Sequence, residues 1–208
     1  MTIFNSKLIR RNLVISAFVL LPLNGADAAD MRIACDIDIA SLRENRIANK
    51  KTGSWGHIFC GDINLRKGRA TGYHHRVSGR DSAIARVGDI SKINPETGVY
   101  EAAPVEVFHN GKWFYKKRGS SFFPDQCTRQ QVVNSVLYAA ENHICRFPNG
   151  KWGGMSAPSS QGNEENYCYG IDGQQLVVNG YFTKDPNHIA TAWPVISNIM
   201  PSKCEAIN

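Results

Sequence analysis

Between residues 129 and 143 the apolar side chains Val132, Val133, Val136, Leu137 and Ala140 recur at helical spacing, with polar residues between them. That stripe predicts an amphipathic helix that turns one face to the core. Thr128 and Gln131 stand at its head with the spacing of a capping box. A different pattern surrounds Asn110-Gly111, where residues 105–108 and 113–115 are short apolar runs. It predicts a hairpin closed by a type I′ turn, which needs positive φ at both central residues. Residues 175–182 and 189–193 predict two more strands, joined through Lys184-Asp185-Pro186-Asn187, and Pro194 limits the second. Residues 58–60 predict a brief strand entering a Gly61-Asp62 turn, and residues 41–51 a short helix ended by Gly53. Residues 64–80 are basic and punctuated by glycine, which predicts an ordered loop with short strands. Residues 147–165 are rich in Gly, Pro, Ser and Asn and predict a long loop. Strands precede and follow the main helix without βαβ alternation, and no repeat is present, so the expected class is α+β with antiparallel sheets.

The first residues change the picture of the compartment. Lys7, Arg10 and Arg11 precede an apolar run over residues 13–23, and Ala26-Asp27-Ala28 offers a cleavage site. This is the layout of a signal peptide over residues 1–28, with the mature domain at residues 29–208. The apolar run is short for a membrane span, and no later segment approaches that length. The expected location is therefore secreted or periplasmic, without stable membrane insertion after cleavage. Formal net charge is +6; loss of three basic residues and one acidic residue with the signal leaves +4. A modestly basic surface suits an anionic partner such as RNA. All six cysteines, Cys35, Cys60, Cys127, Cys145, Cys168 and Cys204, lie in the mature part. An even count in an exported chain predicts disulfides, in a pairing that spacing leaves open. The chain lacks the CxxC and HExxH patterns of zinc sites.

Candidate chemistry concentrates in one stretch. His57 lies in Trp55-Gly56-His57-Ile58, and His74 and His75 follow Gly72-Tyr73, with a basic segment between. Histidine serves as general acid or general base because its unperturbed pKa lies near neutrality. In an extended segment adjacent side chains point to opposite faces, so one of His74 and His75 can face a substrate.

Several pieces, in order, resemble one family. His57-Ile-x-x-Gly61-Asp62 followed by Gly72-Tyr73-His74 is similar to the two-histidine motif of EndoU-type endoribonucleases, above all the bacterial EndoU toxin domain. Ser121-Phe122-Phe123-Pro124, preceded by Lys116-Lys117, resembles that domain's lysine-rich "STFFP" segment. Ile189-Ala190-Thr191-Ala192-Trp193-Pro194 resembles its C-terminal "I-x-TAYP" strand. The resemblance implies short helices with two small antiparallel β-sheets, similar in plan to pancreatic-type ribonucleases, in a single domain after the signal peptide. It implies cleavage of RNA, in some members transfer RNA. The 2′-OH attacks phosphorus and leaves a 2′,3′-cyclic phosphate, in a reaction that is metal-independent or manganese-stimulated. A toxin or effector of this kind would be matched by a neutralising immunity protein.

By the same resemblance His74 is the general base and His57 the general acid, while His75 packs or meets solvent. Thr191 would bond a phosphate oxygen or base edge, and Trp193, in place of the usual tyrosine, would stack on a base without a phenolic oxygen. Gly72, Tyr73 and Lys67 would contact substrate, with Arg66, Arg69 and Arg76 along the RNA path. The family's lysine is not placed by the motifs: residues 170–181 contain none, and Lys116, Lys117 and Lys184 read more readily as solvated charges. The absent lysine and the Tyr-to-Trp change favour, as an alternative, a non-catalytic RNA-binding module; a disulfide-stabilised extracellular structural protein is the third reading.

Overall fold

The computed structural model describes residues 52–159 and 162–207. The expected signal peptide and the helix at residues 41–51 lie outside the described residues. The main helix, Arg129–Glu141, carries both halves of the expected capping box: the Gln131 amide donates to Thr128 Oγ1, and the Gln131 side chain accepts from the Thr128 amide. Its stripe Val132, Val133, Val136, Leu137 and Ala140 is buried. A shorter helix precedes it at Trp55–Cys60; the two are named α1 (Trp55–Cys60) and α2 (Arg129–Glu141).

Helix α1 corrects the strand expected at residues 58–60. Trp55, Ile58 and Phe59 are buried, and their i, i+3, i+4 spacing places them on one helical face. Three consecutive apolar residues cannot by themselves separate a strand from a turn of buried helix. Tertiary partners complete this short helix. Its late carbonyls lack intrahelical donors, and the Tyr73 and His74 amides supply them, donating to His57 O at 2.9 Å and Ile58 O at 2.7 Å.

The strands are β1 (Thr52–Gly53), β2 (Asp62–Asn64), β3 (Arg69–Thr71), β4 (Ala85–Ile93), β5 (Tyr100–His109), β6 (Lys112–Lys116), β7 (Ser120–Phe122), β8 (Cys145–Arg146), β9 (Trp152–Met155), β10 (Val177–Phe182), β11 (His188–Pro194) and β12 (Glu205–Ala206). Among the described residues they form three sheets, where two were expected: a six-stranded sheet in the order β1-β11-β10-β9-β8-β12, a four-stranded sheet of β4, β5, β6 and β7, and the β2–β3 pair. The class is α+β as expected. All pairings are antiparallel except β1 on β11. That parallel pair closes over nearly the whole domain, as a parallel connection requires a long crossover.

The β5–β6 hairpin turns at Asn110 (φ 46°) and Gly111 (φ 80°), as the dipeptide predicts. Strand β9 falls inside the long loop expected at residues 147–165. Its Gly153-Gly154 reads locally as a loop signal, yet there it lets β9 lie against α2: a Cβ on Gly154 would collide with the Ala139 carbonyl. Strand β4 is mostly exposed, so it lacks the apolar alternation that would announce it.

Two apolar cores result. One packs α1 and α2 on the six-stranded sheet around Trp55, Phe59, Val136, Leu137, Trp152 and Ile189. The other joins β3 to the four-stranded sheet through Ala70, Tyr73, Tyr100, Val105 and Phe122. Disulfide Cys127–Cys168 lies in the first core, Cys145–Cys204 ties β8 to the segment before β12, and Cys60 is also disulfide-bonded. Cross-links of this span stabilise by restricting the unfolded chain, typically by about 3–4 kcal/mol each.

Candidate active site at the seam of the two cores

The sheets meet where Ser121 of β7 donates from Oγ to the Pro194 carbonyl of β11 at 2.7 Å. A cavity of about 420 Å³ opens at this seam, lined by His57, Gly72, His74, Glu101, Lys116, Arg118, Gly119, Ser120, Ser121, Thr191 and Trp193. Residues far apart in sequence reach it from α1, the segment after β3, the β6–β7 turn and β11.

Gly72 brings the two histidines together. It has φ 69°, and a Cβ there would collide with the His57 carbonyl and sit 2.9 Å from His57 Nε2. Only glycine lets the chain pass so close to α1. Tyr73 follows with φ 60°, and the pair of left-handed residues turns the chain so that His74 enters the cavity. The Phe123 amide then donates to His74 O at 2.9 Å, tying this segment to the Ser121–Pro124 motif.

The His74 ring is fixed by one contact. Its Nδ1 lies 3.0 Å from the Ser121 carbonyl oxygen. A carbonyl can only accept, so Nδ1 carries the hydrogen and Nε2 is the lone-pair nitrogen. Burial holds the His74 pKa well below 6.5; the Lys116 charge pushes it down further, the Ser121 bond works upward, and His57 lowers it. Trp193 stacks on the ring, with centroids 5.9 Å apart and planes at 28°. His57 is also held below 6.5 by burial, opposed by the Asp62 carboxylate, whose Oδ2 lies 3.9 Å from His57 Nδ1.

Lys116 completes the charge pattern. Its ammonium donates to Ser120 Oγ at 2.6 Å, and that hydroxyl donates to Gly72 O at 3.2 Å. Burial, with the neighbouring Arg69 charge, lowers the Lys116 pKa to about 8. A lysine at the end of β6 looks solvated from sequence; the tight turn to β7, closed by Gly119 N to Lys116 O at 3.1 Å, folds it over Gly72 instead. The only sequence signal for it was its place before the Ser121–Pro124 motif. Ser121 opens that motif, whereas Ser120, Glu101 and Arg118 have no signal of their own.

Thr191 and Trp193 share one face of β11 as alternate residues do. Thr191 Oγ1 is buried without a hydrogen-bond partner among the described residues, an orphan hydroxyl at the cavity wall. Four of the expected site residues besides His57 thus line the cavity: Gly72, His74, Thr191 and Trp193. Tyr73 does not. It is buried in the second core against Phe122, and its hydroxyl donates to Asp81 at 3.3 Å and accepts from the Ser82 amide. Lys67 is exposed in the 3-10 turn after β2, outside the cavity lining. His75 points into the first core: Nε2 lies 2.8 Å from Cys127 O, and the ring meets Phe59 edge-on. Burial lowers its pKa to about 4, so it stays neutral.

A cavity that sets neutral imidazole beside lysine and arginine, with an orphan hydroxyl on its wall, is arranged for acid–base chemistry on an anion. The family model of the bacterial EndoU nucleases matches residues 52–196, and the chain belongs to that family. No curated protein and no solved structure matches it.

Proposed function

We propose that this nuclease is an exported RNA endonuclease that cleaves by transesterification. His74 Nε2 removes the proton of the ribose 2′-OH, and the freed oxygen attacks the adjacent phosphorus. The bond from phosphorus to the 5′-oxygen breaks, and His57 protonates that oxygen. The products are a 2′,3′-cyclic phosphate and a free 5′-OH. Each histidine role contributes typically about 10²–10⁴-fold. Lys116 and Thr191 donate to the phosphate oxygens as charge grows on them, and Trp193 stacks on a neighbouring base. Tyr73 and Lys67 act away from the reacting phosphate, Tyr73 by holding the turn that delivers His74.

The observation that carries this reading is the Ser121 contact: it sets His74 in the tautomer of a base, in a neutral ring beside a lysine. Every step of this reading is assigned to the chain's own groups. Activity in the presence of EDTA supports that assignment, and strict dependence on manganese overturns it.

Export is supported by the disulfides and by the signal-like first residues. No helix of the described residues is long and apolar enough to cross a membrane. A toxin or effector role, with transfer RNA as one target and an immunity protein as partner, accords with these features. Oxidative folding after export would keep the enzyme inactive beforehand; equal activity of reduced and oxidised protein rules that out. The test of the chemistry is purified mature protein on a uridine-containing oligonucleotide. Cleavage to a cyclic phosphate is expected, with losses of about 10²–10⁴-fold in His57→Ala and His74→Ala. Salt-sensitive RNA binding without cleavage identifies a non-catalytic module instead, and neither binding nor cleavage identifies a structural protein.

A further inference from the structure

A second, larger concavity of about 790 Å³ adjoins the active-site cavity. It lies between β3 and β6, which belong to different sheets, and is lined by residues 68–71 and 112–118. Lys116 and Arg118 line both spaces, so groove and cavity meet at these two side chains. Three properties distinguish the groove. Its charged lining residues are Arg69, Lys112, Lys116, Lys117 and Arg118, and none of its lining residues is acidic. Arg69 and Lys116 sit close enough to act on one another, since the Arg69 charge helps to lower the Lys116 pKa. Aromatic rings stand between the cations along β6: Trp113, Phe114 and Tyr115 separate Lys112 from Lys116.

The rings differ in availability. Trp113 already carries Arg86 at 4.1 Å, and Phe114 carries the Lys112 ammonium at 4.6 Å. Tyr115 is 52% exposed, and no ring or cation among the described residues covers it. Five cations with an open ring beside them fit a flexible polyanion that carries its own planar groups. A basic track with stacking platforms is how single-stranded nucleic acid is held without sequence readout. Lys112 to Lys116 covers about 13 Å at about 3.3 Å per residue, enough for more than one nucleotide beside the scissile one.

Resting on the RNA-cleavage reading, we propose that the β3–β6 groove binds the single strand of RNA that continues from the scissile phosphate. Arg69, Lys112, Lys117 and Arg118 take successive phosphates, and Tyr115 stacks on one base. The enzyme is then specific for RNA long enough to fill both spaces.

The test compares two substrates with the full mature chain: a dinucleotide, and a single-stranded oligonucleotide of about a dozen residues with one ribonucleotide as its only cleavable position. Wild type is expected to prefer the longer substrate in kcat/KM. The double variant Lys112→Ala/Lys117→Ala is expected to lower the long-to-short ratio by roughly tenfold, through KM. It also reduces the slope of log affinity against log salt by about 1.4, since each lost contact to a single strand removes about 0.7. Tyr115→Ala lowers the ratio without changing the salt slope. Lys92→Ala, an equal loss of charge on exposed β4, keeps the wild-type ratio. An unchanged ratio and slope in the double variant overturns the proposal, as does equal affinity for duplex RNA or for an acidic polypeptide. A parallel binding measurement on an all-deoxy oligonucleotide separates the two readings. Binding lost in the double variant without cleavage by wild type keeps the groove and rejects the catalytic reading; cleavage with an unaffected ratio does the reverse.

Discussion

The seam cavity and the β3–β6 groove share Lys116 and Arg118, yet they treat charge in opposite ways. In the cavity burial dominates. His74 and His57 are held below their ordinary pKa, and Lys116 falls to about 8. The reacting groups there are fixed by neighbours, His74 by Ser121 and Lys116 by Ser120, while Thr191 Oγ1 is left without a partner among the described residues. In the groove the cations besides Lys116 are exposed. Fixed, desolvated groups suit bond-making, where a preorganised dipole costs no reorganisation. Mobile, solvated cations suit a partner whose sequence varies, because their attraction is long-range and needs little geometry. The difference separates where the chain would do chemistry from where it would hold its substrate.

The largest test of that contrast is the residue common to both. Lys116→Ala is expected to lower kcat by about 10²–10³-fold on a dinucleotide, where the groove is empty. A change confined to KM on the long substrate would instead assign Lys116 to the groove. Rescue by Lys116→Arg is expected to be partial, because a planar guanidinium cannot repeat the compact contact to Ser120.

The pH profile comes next. A general base must be neutral, so activity rises as pH climbs through the His74 pKa, which lies well below 6.5. A general acid must be protonated, so activity falls as pH passes the His57 pKa, also below 6.5. The optimum of kcat/KM is therefore expected on the acidic side of pH 6.5, measured on the dinucleotide. An optimum above pH 7 would contradict the assignment of these two residues. Raising salt should leave kcat nearly unchanged while KM on the long substrate climbs, since enclosed charges escape screening and exposed ones do not.

The smallest expected effect couples the two spaces. Arg69 lowers the Lys116 pKa as the second cause after burial. Arg69→Ala should raise the Lys116 pKa above about 8 by a fraction of a unit, read from an NMR titration of its ammonium. A shift as large as the whole depression of Lys116 would mean that charge, and not burial, sets its pKa.

Legibility from the sequence followed the range of the forces involved. The capping box at Thr128 and Gln131, the α2 stripe and the Asn110-Gly111 turn are local, and each is legible without any tertiary contact. His57, Gly72, His74, Thr191 and Trp193 were legible as pieces of ordered motifs, and the fold gathers all of them at one cavity. Tyr73 and Lys67 shared those motifs or their neighbourhood but went elsewhere, because adjacency in sequence says little about direction when a left-handed residue intervenes. Helix α1 and strand β9 were misread for one reason. Their apolar and glycine residues answer to partners across the molecule, α1 to the Tyr73 and His74 amides and β9 to the face of α2.

The sequence by itself determined the α+β class, the main helix with its cap, the hairpin, the family and the choice of His74 over His75. Those follow from periodicity, turn stereochemistry and ordered motifs, which act within a few residues. The tertiary structure decided the tautomer of His74, the burial that lowers three pKa values in one cavity, and the conversion of Lys116 from an expected surface charge into its third group. It also set the basic groove beside that cavity. Desolvation and hydrogen-bond partners depend on which distant segments meet, and only the packing of the two cores against each other brings Ser121, Lys116 and β11 to the same histidine.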